Sequence, residues 1–399
     1  MSAPSTAARI PAGVWTLGFV SLLMDSSSEL IHSLLPLYMA GVLGASALTI
    51  GLIEGTAEAI ALIVKVFSGY ASDRTRRRKP LVLAGYGMAA LSKLVFPLAA
   101  SLSWVVAARF VDRVGKGIRG APRDALVADL TPASVRGAAF GLRQALDTVG
   151  AIAGPLLAVA AITVFAGDFR AAFWVAVVPA LLCVVLIVVA VREPPATQGE
   201  PARRIAWREV ARLPRPLVLV TGVAVVLTLA RFSEAFLVLR GRNVGLSDQS
   251  APWVMVVMSL VYAALSYPAG RVADRGRGGA LLVAGMVALI ASDVVLARAV
   301  SPLGALAGAA LWGLHMALTQ GLLAALVAAT APAHLRGTAF GAFNLACGVA
   351  LLGASALAGA LWEFAGPAAT FYAGAVLTAT ALAGWLFLRP KLPAIGAPA

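Results

Sequence analysis

Seven ionisable residues, Arg109, Asp112, Arg113, Lys116, Arg119, Arg123 and Asp124, interrupt an otherwise apolar stretch within sixteen positions. At 3.6 residues per turn, positions 109, 112, 113, 116, 119, 120 and 123 fall within about 120° of one helix face. All of these except Gly120 are charged. Other apolar stretches repeat the pattern. Asp25, Glu29 and His32 follow at i, i+4 and i+7; Glu54 and Glu58 at i, i+4, with Lys65 on the same face; Arg143 and Asp147 at i, i+4; and Lys93 stands alone. Carboxyls mixed with bases in a low-dielectric setting can exchange protons. The bases Arg109, Arg113, Lys116 and Arg143 can hold an anionic group. The second half of the chain is poorer, with Arg231, Glu234 and Asp293 as its main ionisable groups, and Ser233-Glu234 echoes Ser28-Glu29. Tyr262, His315, Thr319, Gln320 and Asn344 are uncharged candidates for a polar wall, although for each taken alone interhelical hydrogen bonding is the favoured reading.

What positions these residues is a set of membrane helices. The chain has 399 residues, 60% hydrophobic and 13% charged, with a mean hydropathy of +0.89, which excludes an ordinary soluble domain. At about 20 residues per span, the apolar runs supply twelve candidate helices. They lie near 14–40, 47–70, 80–100, 103–125, 137–165, 170–191, 215–239, 250–270, 279–299, 302–329, 337–362 and 367–388. The fold class is therefore an all-α polytopic membrane protein with two six-helix bundles, 1–191 and 215–399, joined by a Pro-rich, charged loop at 192–214. An ionised side chain at mid-bilayer costs about 2.5–3.5 kcal/mol, and apolar residues return only about 0.3–0.6 kcal/mol each. The helix holding Arg109 to Asp124 therefore cannot face lipid.

The formal charge of +14 comes from 32 Lys and Arg against 18 Asp and Glu. In a soluble chain that excess would suggest nucleic acid. Here most of the bases gather in loops that share one face with both termini, which predicts cytoplasmic termini in an inner, multi-pass membrane location and no nucleic-acid partner. No A-x-A cleavage site follows the first apolar run, so that span is expected to be retained. Cys183 and Cys347 lie at intramembrane depth and offer neither a disulfide framework nor metal-ligand spacing.

The chain also repeats itself at an offset of about 200. Ala125-Leu126-Val127-Ala128 recurs as Ala325-Leu326-Val327-Ala328, Arg136-Gly137 with Ala139-Phe140-Gly141 as Arg336-Gly337 with Ala339-Phe340-Gly341, and Gly69 with Asp73-Arg74 as Gly270 with Asp274-Arg275. Two similar halves are the economical reading.

With these motifs in hand, the sequence resembles the major facilitator superfamily of secondary transporters across nearly its whole length. The run from Gly69 through Asp73 and Arg74 to Lys79 is similar to the family's G-x-x-x-D-R-x-G-R-R-K loop, with Arg76 in place of the usual Gly, and Gly270, Asp274 and Arg275 form a weaker copy. Arg109 stands where the family's R-x-x-x-G-x-G motif begins, with Arg113 replacing the first Gly. Gly150, Gly154 and Pro155 resemble the fifth-helix motif of the exporter, drug–proton antiporter branch, although Ala158 and Val159 stand in place of its trailing glycines.

The resemblance implies alternating access between two bundles, gating roles for Gly69, Asp73 and Arg74, and a functional monomer. It also implies a small-molecule substrate and a proton gradient, rather than a cofactor, as the energy source. The favoured reading is proton-coupled efflux of a small organic compound, with an anionic group as the candidate handle. Uptake of an anionic metabolite or metal chelate by symport is the alternative. An intramembrane enzyme is the remote rival, and the absence of H-E-x-x-H, G-x-S-x-G and phosphate-loop motifs argues against it.

Overall fold

A computed structural model describes residues 10–75, 77–193, 213–331 and 335–391. Arg76, His334 and most of the 192–214 loop lie outside the described residues. The described chain is helical throughout: α1 (Ala12–Gly41), α2 (Ala47–Thr75), α3 (Arg78–Leu98), α4 (Leu102–Leu130), α5 (Arg136–Val164), α6 (Phe169–Ala190), α7 (Arg215–Ala230), α8 (Ala235–Asn243), α9 (Trp253–Val272), α10 (Gly278–Arg298), α11 (Pro302–Thr330), α12 (Arg336–Ala365) and α13 (Pro367–Leu388).

Among the described residues, nine helical stretches are long and apolar enough to cross a membrane. One of them, Trp253–Arg298, holds 46 residues and two spans, joined through a wide turn at Ala273–Arg277. Helices α1 and α4, of 30 and 29 residues, fall outside that set because of their polar runs. Nine stretches, one of them double, together with α1 and α4 make twelve spans. Gly276 in the wide turn has φ +79°, a left-handed conformation that favours glycine. Counted from Asp73 and Asp274, its counterpart in the first copy is Thr75.

The sequence reading runs the seventh span unbroken, and the structure corrects this. The span is interrupted between Ala230 and Ala235, giving α7 and α8. The freed backbone donors are met locally. Ser233 N–H donates to Ser355 Oγ at 3.2 Å, and Ala235 N–H donates to Ser233 Oγ at 3.3 Å. Interrupted backbone at membrane depth is tolerated where other groups take up its polar atoms.

Packing divides the chain into two compact units. The first is Met1–Ile31, Val64–Leu157 and Arg170–Arg203, and the second is His32–Ile63, Ala158–Phe169 and Arg204–Ala399. The core of the first is built from Val14, Leu17, Val20 and Met24 of α1, Val82 and Tyr86 of α3, Leu126 and Val127 of α4, and Cys183 and Ile187 of α6. In the second, Phe232 from the interruption packs against Phe236, Trp312 and Phe371, with ring centroids 5.7, 5.4 and 5.5 Å away. That aromatic cluster pins the broken span.

The repeat is visible in the packing of each unit. A Cβ on Gly85 of α3 would lie 2.7 Å from both the Gly115 carbonyl oxygen and the Arg119 nitrogen of α4. At the corresponding place, Gly285 of α10 meets Thr319 and Leu318 of α11. Both crossings depend on glycine for the close approach of two helices.

Candidate functional site

In the first unit the charged face of α4 turns inward, and its residues form two groups of different character. Asp112 is the centre of the first. Lys93 Nζ of α3 lies 2.7 Å from Asp112 Oδ1, Arg113 Nε lies 3.7 Å from Oδ2, and Arg109 NH1 lies 3.9 Å from Oδ2. All four side chains are between 0 and 3% exposed. The Gly85–Gly115 crossing brings α3 close enough for Lys93 to reach across. One carboxylate facing three bases in a dry interior binds α3 to α4, because removing either sign would strand buried charge.

The second group lies further along α4 and is wetter. Arg119 NH2 is 3.5 Å from Asp25 Oδ1 of α1, and the guanidinium lies over the Tyr86 ring, 4.4 Å from its centroid. Arg123 NH1 donates to Ser21 Oγ at 2.8 Å and lies 3.7 Å from Asp147 Oδ1 of α5. Its NH2 is 3.2 Å from Asp124 Oδ1. Arg143 NH1 donates to Asp147 Oδ2 at 2.8 Å and lies 3.5 Å from Asp124 Oδ1. Three arginines and three aspartates thus link α1, α4 and α5. The Asp25 and Asp124 side chains are 26% and 36% exposed, so these two acids are less closed in than Asp112. Lys116, between the two groups on the same face, is exposed, as is Lys65 of α2, whose stem lies along Gly120.

The fifth-helix glycines bear directly on these acids. A Cβ on Gly150 would lie 2.7 Å from the Leu22 carbonyl oxygen and 3.0 Å from Asp25 Cβ. One on Gly154 would meet Glu29 Cβ, and would lie 2.8 Å from the Ser26 carbonyl oxygen. The backbone of α5 therefore rests on α1 at Asp25 and Glu29. Pro155 follows inside α5.

The remaining candidates are distributed as follows. In the second unit His32 Nε2 lies 3.7 Å from Glu54 Oε2, both residues are buried, and Glu58 is half-buried a turn further along α2. Gly51 and Gly55 of α2 face Ser355 and Leu352 of α12, and a Cβ on Gly359 would lie 2.6 Å from the Ala47 carbonyl oxygen. The N–H of Leu48 donates to Glu363 Oε2 at 3.1 Å. This unit thus holds the Ala47 end of α2 against α12 through paired small residues. Arg231 and Glu234 are the first and last residues of the interruption, both half-buried. His315 is fully buried, with Nδ1 2.8 Å from the Gly285 carbonyl oxygen.

Asp73, Arg74, Asp274 and Arg275 are exposed. In the first loop the pairing falls to its neighbours. Arg78 Nε is 2.6 Å from Asp129 Oδ2, and the N–H groups of Arg78 and Lys79 both donate to Glu193 Oε1, the latter at 3.1 Å. Gly69 faces Ala121, and Gly270 has open space around it. Two residues gain importance that spacing alone did not reveal. Lys93 is the closest partner of Asp112, and Arg240 closes the end of α10 by donating to the carbonyl oxygens of Leu296, Ala297 and Ala299 at 2.9, 3.1 and 2.8 Å. An isolated base in an apolar run is the only signal Lys93 carries, and Arg240 stands beside Arg242 where such a run ends.

The model of the Major Facilitator Superfamily matches residues 17–241 and 223–398 of this chain. An uncharacterized MFS-type transporter of Methanocaldococcus jannaschii is 33% identical over 377 residues, which is 92% of this chain and 93% of that protein. Among solved structures, the human organic anion transporter is 19% identical with a TM-score of 0.69, covering 94% of this chain and 99% of its own. A nucleoside transporter is 12% identical with a TM-score of 0.79, with coverages of 94% and 99%. At such identities the two structures speak to the fold.

Proposed function

Because the chain belongs to the major facilitator superfamily, we propose that this multi-pass membrane transporter couples the export of a small organic compound to the entry of protons. The observation that carries the reading is the meeting of α5 with α1. Gly150 and Gly154 bring the α5 backbone onto Asp25 and Glu29, and Asp25 is at the same time the partner of Arg119. Protonating Asp25 removes the charge that holds Arg119. The freed guanidinium then changes what α4 presents to α1 and α5, so proton binding is converted into a change of helix packing.

An anionic group on the substrate suits the exposed ammonium groups of Lys65 and Lys116 and the Arg143 end of the second group. Arg109 and Arg113 are closed to water beside Asp112 in this state and contribute positive potential from behind. The six-helix halves 1–191 and 215–399 are the bodies that rock. Both termini face the cytoplasm, in the inner membrane, and the monomer is the working unit.

The test is a reconstituted vesicle carrying an internal pH dye, challenged from outside with a panel of anionic and cationic organic compounds. Proton efflux from the lumen on addition of a carried compound supports antiport. Proton influx supports symport and reverses the proposed direction of coupling. A carried compound that moves without any pH change defeats proton coupling.

A further inference from the structure

Asp293 is an acid with no answering base among the described residues. It lies in α10, is fully buried, and neither carboxyl oxygen has a hydrogen-bond partner among the described residues. The backbone of α13 runs against it. A Cβ on Gly374 would lie 2.7 Å from Oδ2 and 3.2 Å from Oδ1, so glycine there leaves room for the carboxyl and little else.

The charged and titratable groups on the helices packed against α10 are engaged elsewhere or lie at its ends. On α11, His315 holds the Gly285 carbonyl oxygen, two turns back along α10 from Asp293. Arg240 of α8 is committed to the carbonyls of Leu296, Ala297 and Ala299. Helix α13 has no Asp, Glu, Lys or Arg between Pro367 and Leu388, and its Tyr372 is exposed. Arg298 at the end of α10 is also exposed. Asp274, Arg275 and Arg277 sit in the turn before α10, sixteen or more residues from Asp293, about 24 Å along a helix. On α9, Arg271 stacks on Tyr267 near that same turn, and Tyr262 is half-buried at mid-helix.

The internal repeat supplies the contrast. Lys93 occupies the corresponding place in α3, again preceded by a serine and again fully buried, but it is met by Asp112 at 2.7 Å. The counterpart of Asp112 is Trp312, an indole that cannot neutralise a carboxylate. An ionised carboxyl deprived of both water and donors is far costlier than the neutral acid. A purely packing role would be better served by an apolar side chain.

We infer that Asp293 is a proton-binding site of the second half, holding its proton as the neutral acid in the state described here. For its use in transport the site rests on the proton coupling proposed above; its existence does not.

Infrared spectra of the full-length protein in lipid vesicles, wild type against Asp293→Asn, test the site without any substrate. The expected result is a protonated-carboxyl C=O stretch at neutral pH that Asp293→Asn lacks. Asp293→Glu should shift this band rather than abolish it. The thermal midpoint of Asp293→Asn should equal that of the wild type, because Asn copies the shape and neutrality of the acid. An unchanged carboxyl band in Asp293→Asn overturns the inference. So does an Asp293→Asn protein that fails to fold, since the site would then require charge. If the band is present and the vesicle pH dye reports no coupling, the transport reading fails and the site stands. If coupling is present and the band is absent, the site alone fails.

Discussion

Helices α4 and α11 occupy matching places in the two halves of the sequence and are built alike. Each has 29 residues, and each is crossed by a preceding helix through a glycine, Gly85 or Gly285. Their surfaces are opposites. Helix α4 carries seven ionisable residues from Arg109 to Asp124, whereas α11 carries no Asp, Glu, Lys or Arg. The same crossing is thus made with charge or without it. What both crossings share is small residues at the contact, and the charges that α4 carries away from Asp112 serve something beyond that contact. Within α4 the difference repeats on a smaller scale. The dry group around Asp112 fixes α3 to α4, whereas the group from Asp25 to Asp147 is partly exposed at Asp25 and Asp124.

The largest effect should come from breaking the dry group. Asp112→Ala leaves Lys93, Arg109 and Arg113 buried around a vacated partner and should cost about 3–5 kcal/mol, read as loss of folded protein or a steep fall in thermal midpoint. The double variant Lys93→Met with Asp112→Leu should recover only the share of that loss that stems from Lys93, because Arg109 and Arg113 stay charged and buried with the acid gone. Full recovery by the double variant would mean that Arg109 and Arg113 do not depend on Asp112.

Next in size is Gly154→Val, which forces α5 away from Glu29 and Ser26. It should destabilise by about 1–3 kcal/mol and impair transport. Gly141→Val, with nothing near its Cβ position, should do neither. Gly85→Ala and Gly285→Ala sharpen the comparison of halves. Each should cost about 1 kcal/mol or somewhat more by thermal melting, and a large inequality would show that the charged crossing is not equivalent to the apolar one. The smallest effect belongs to Arg78→Gln. The pair with Asp129 is 2.6 Å long, but the two side chains are 20% and 33% exposed, and solvent screening holds its worth to about 0.2–1 kcal/mol.

Much of this was legible in the chain itself. Twelve apolar runs delimit the spans to within a few residues, since a helix that must cross a membrane advertises its length in composition. The 100° period of Arg109, Asp112, Arg113, Lys116 and Arg119 identifies a single face of α4. Pairing was less legible. Lys93 reaches Asp112 only because Gly85 and Gly115 let two helices touch, and neither glycine is distinguishable by spacing from the many others. The interruption at Arg231–Glu234 has no Gly or Pro to mark it. It depends on Ser355 and on the aromatic partners of Phe232, which are distant in sequence. The fifth-helix glycines were visible as a motif, but not that they rest on Asp25 and Glu29.

The most direct test of the account is the proton movement of Asp25→Asn in vesicles with an internal pH dye, measured on a compound that the wild type carries. The account predicts that Asp25→Asn still exchanges that compound across the membrane at equilibrium but no longer moves protons with it. Proton flux at the wild-type level in Asp25→Asn would contradict it.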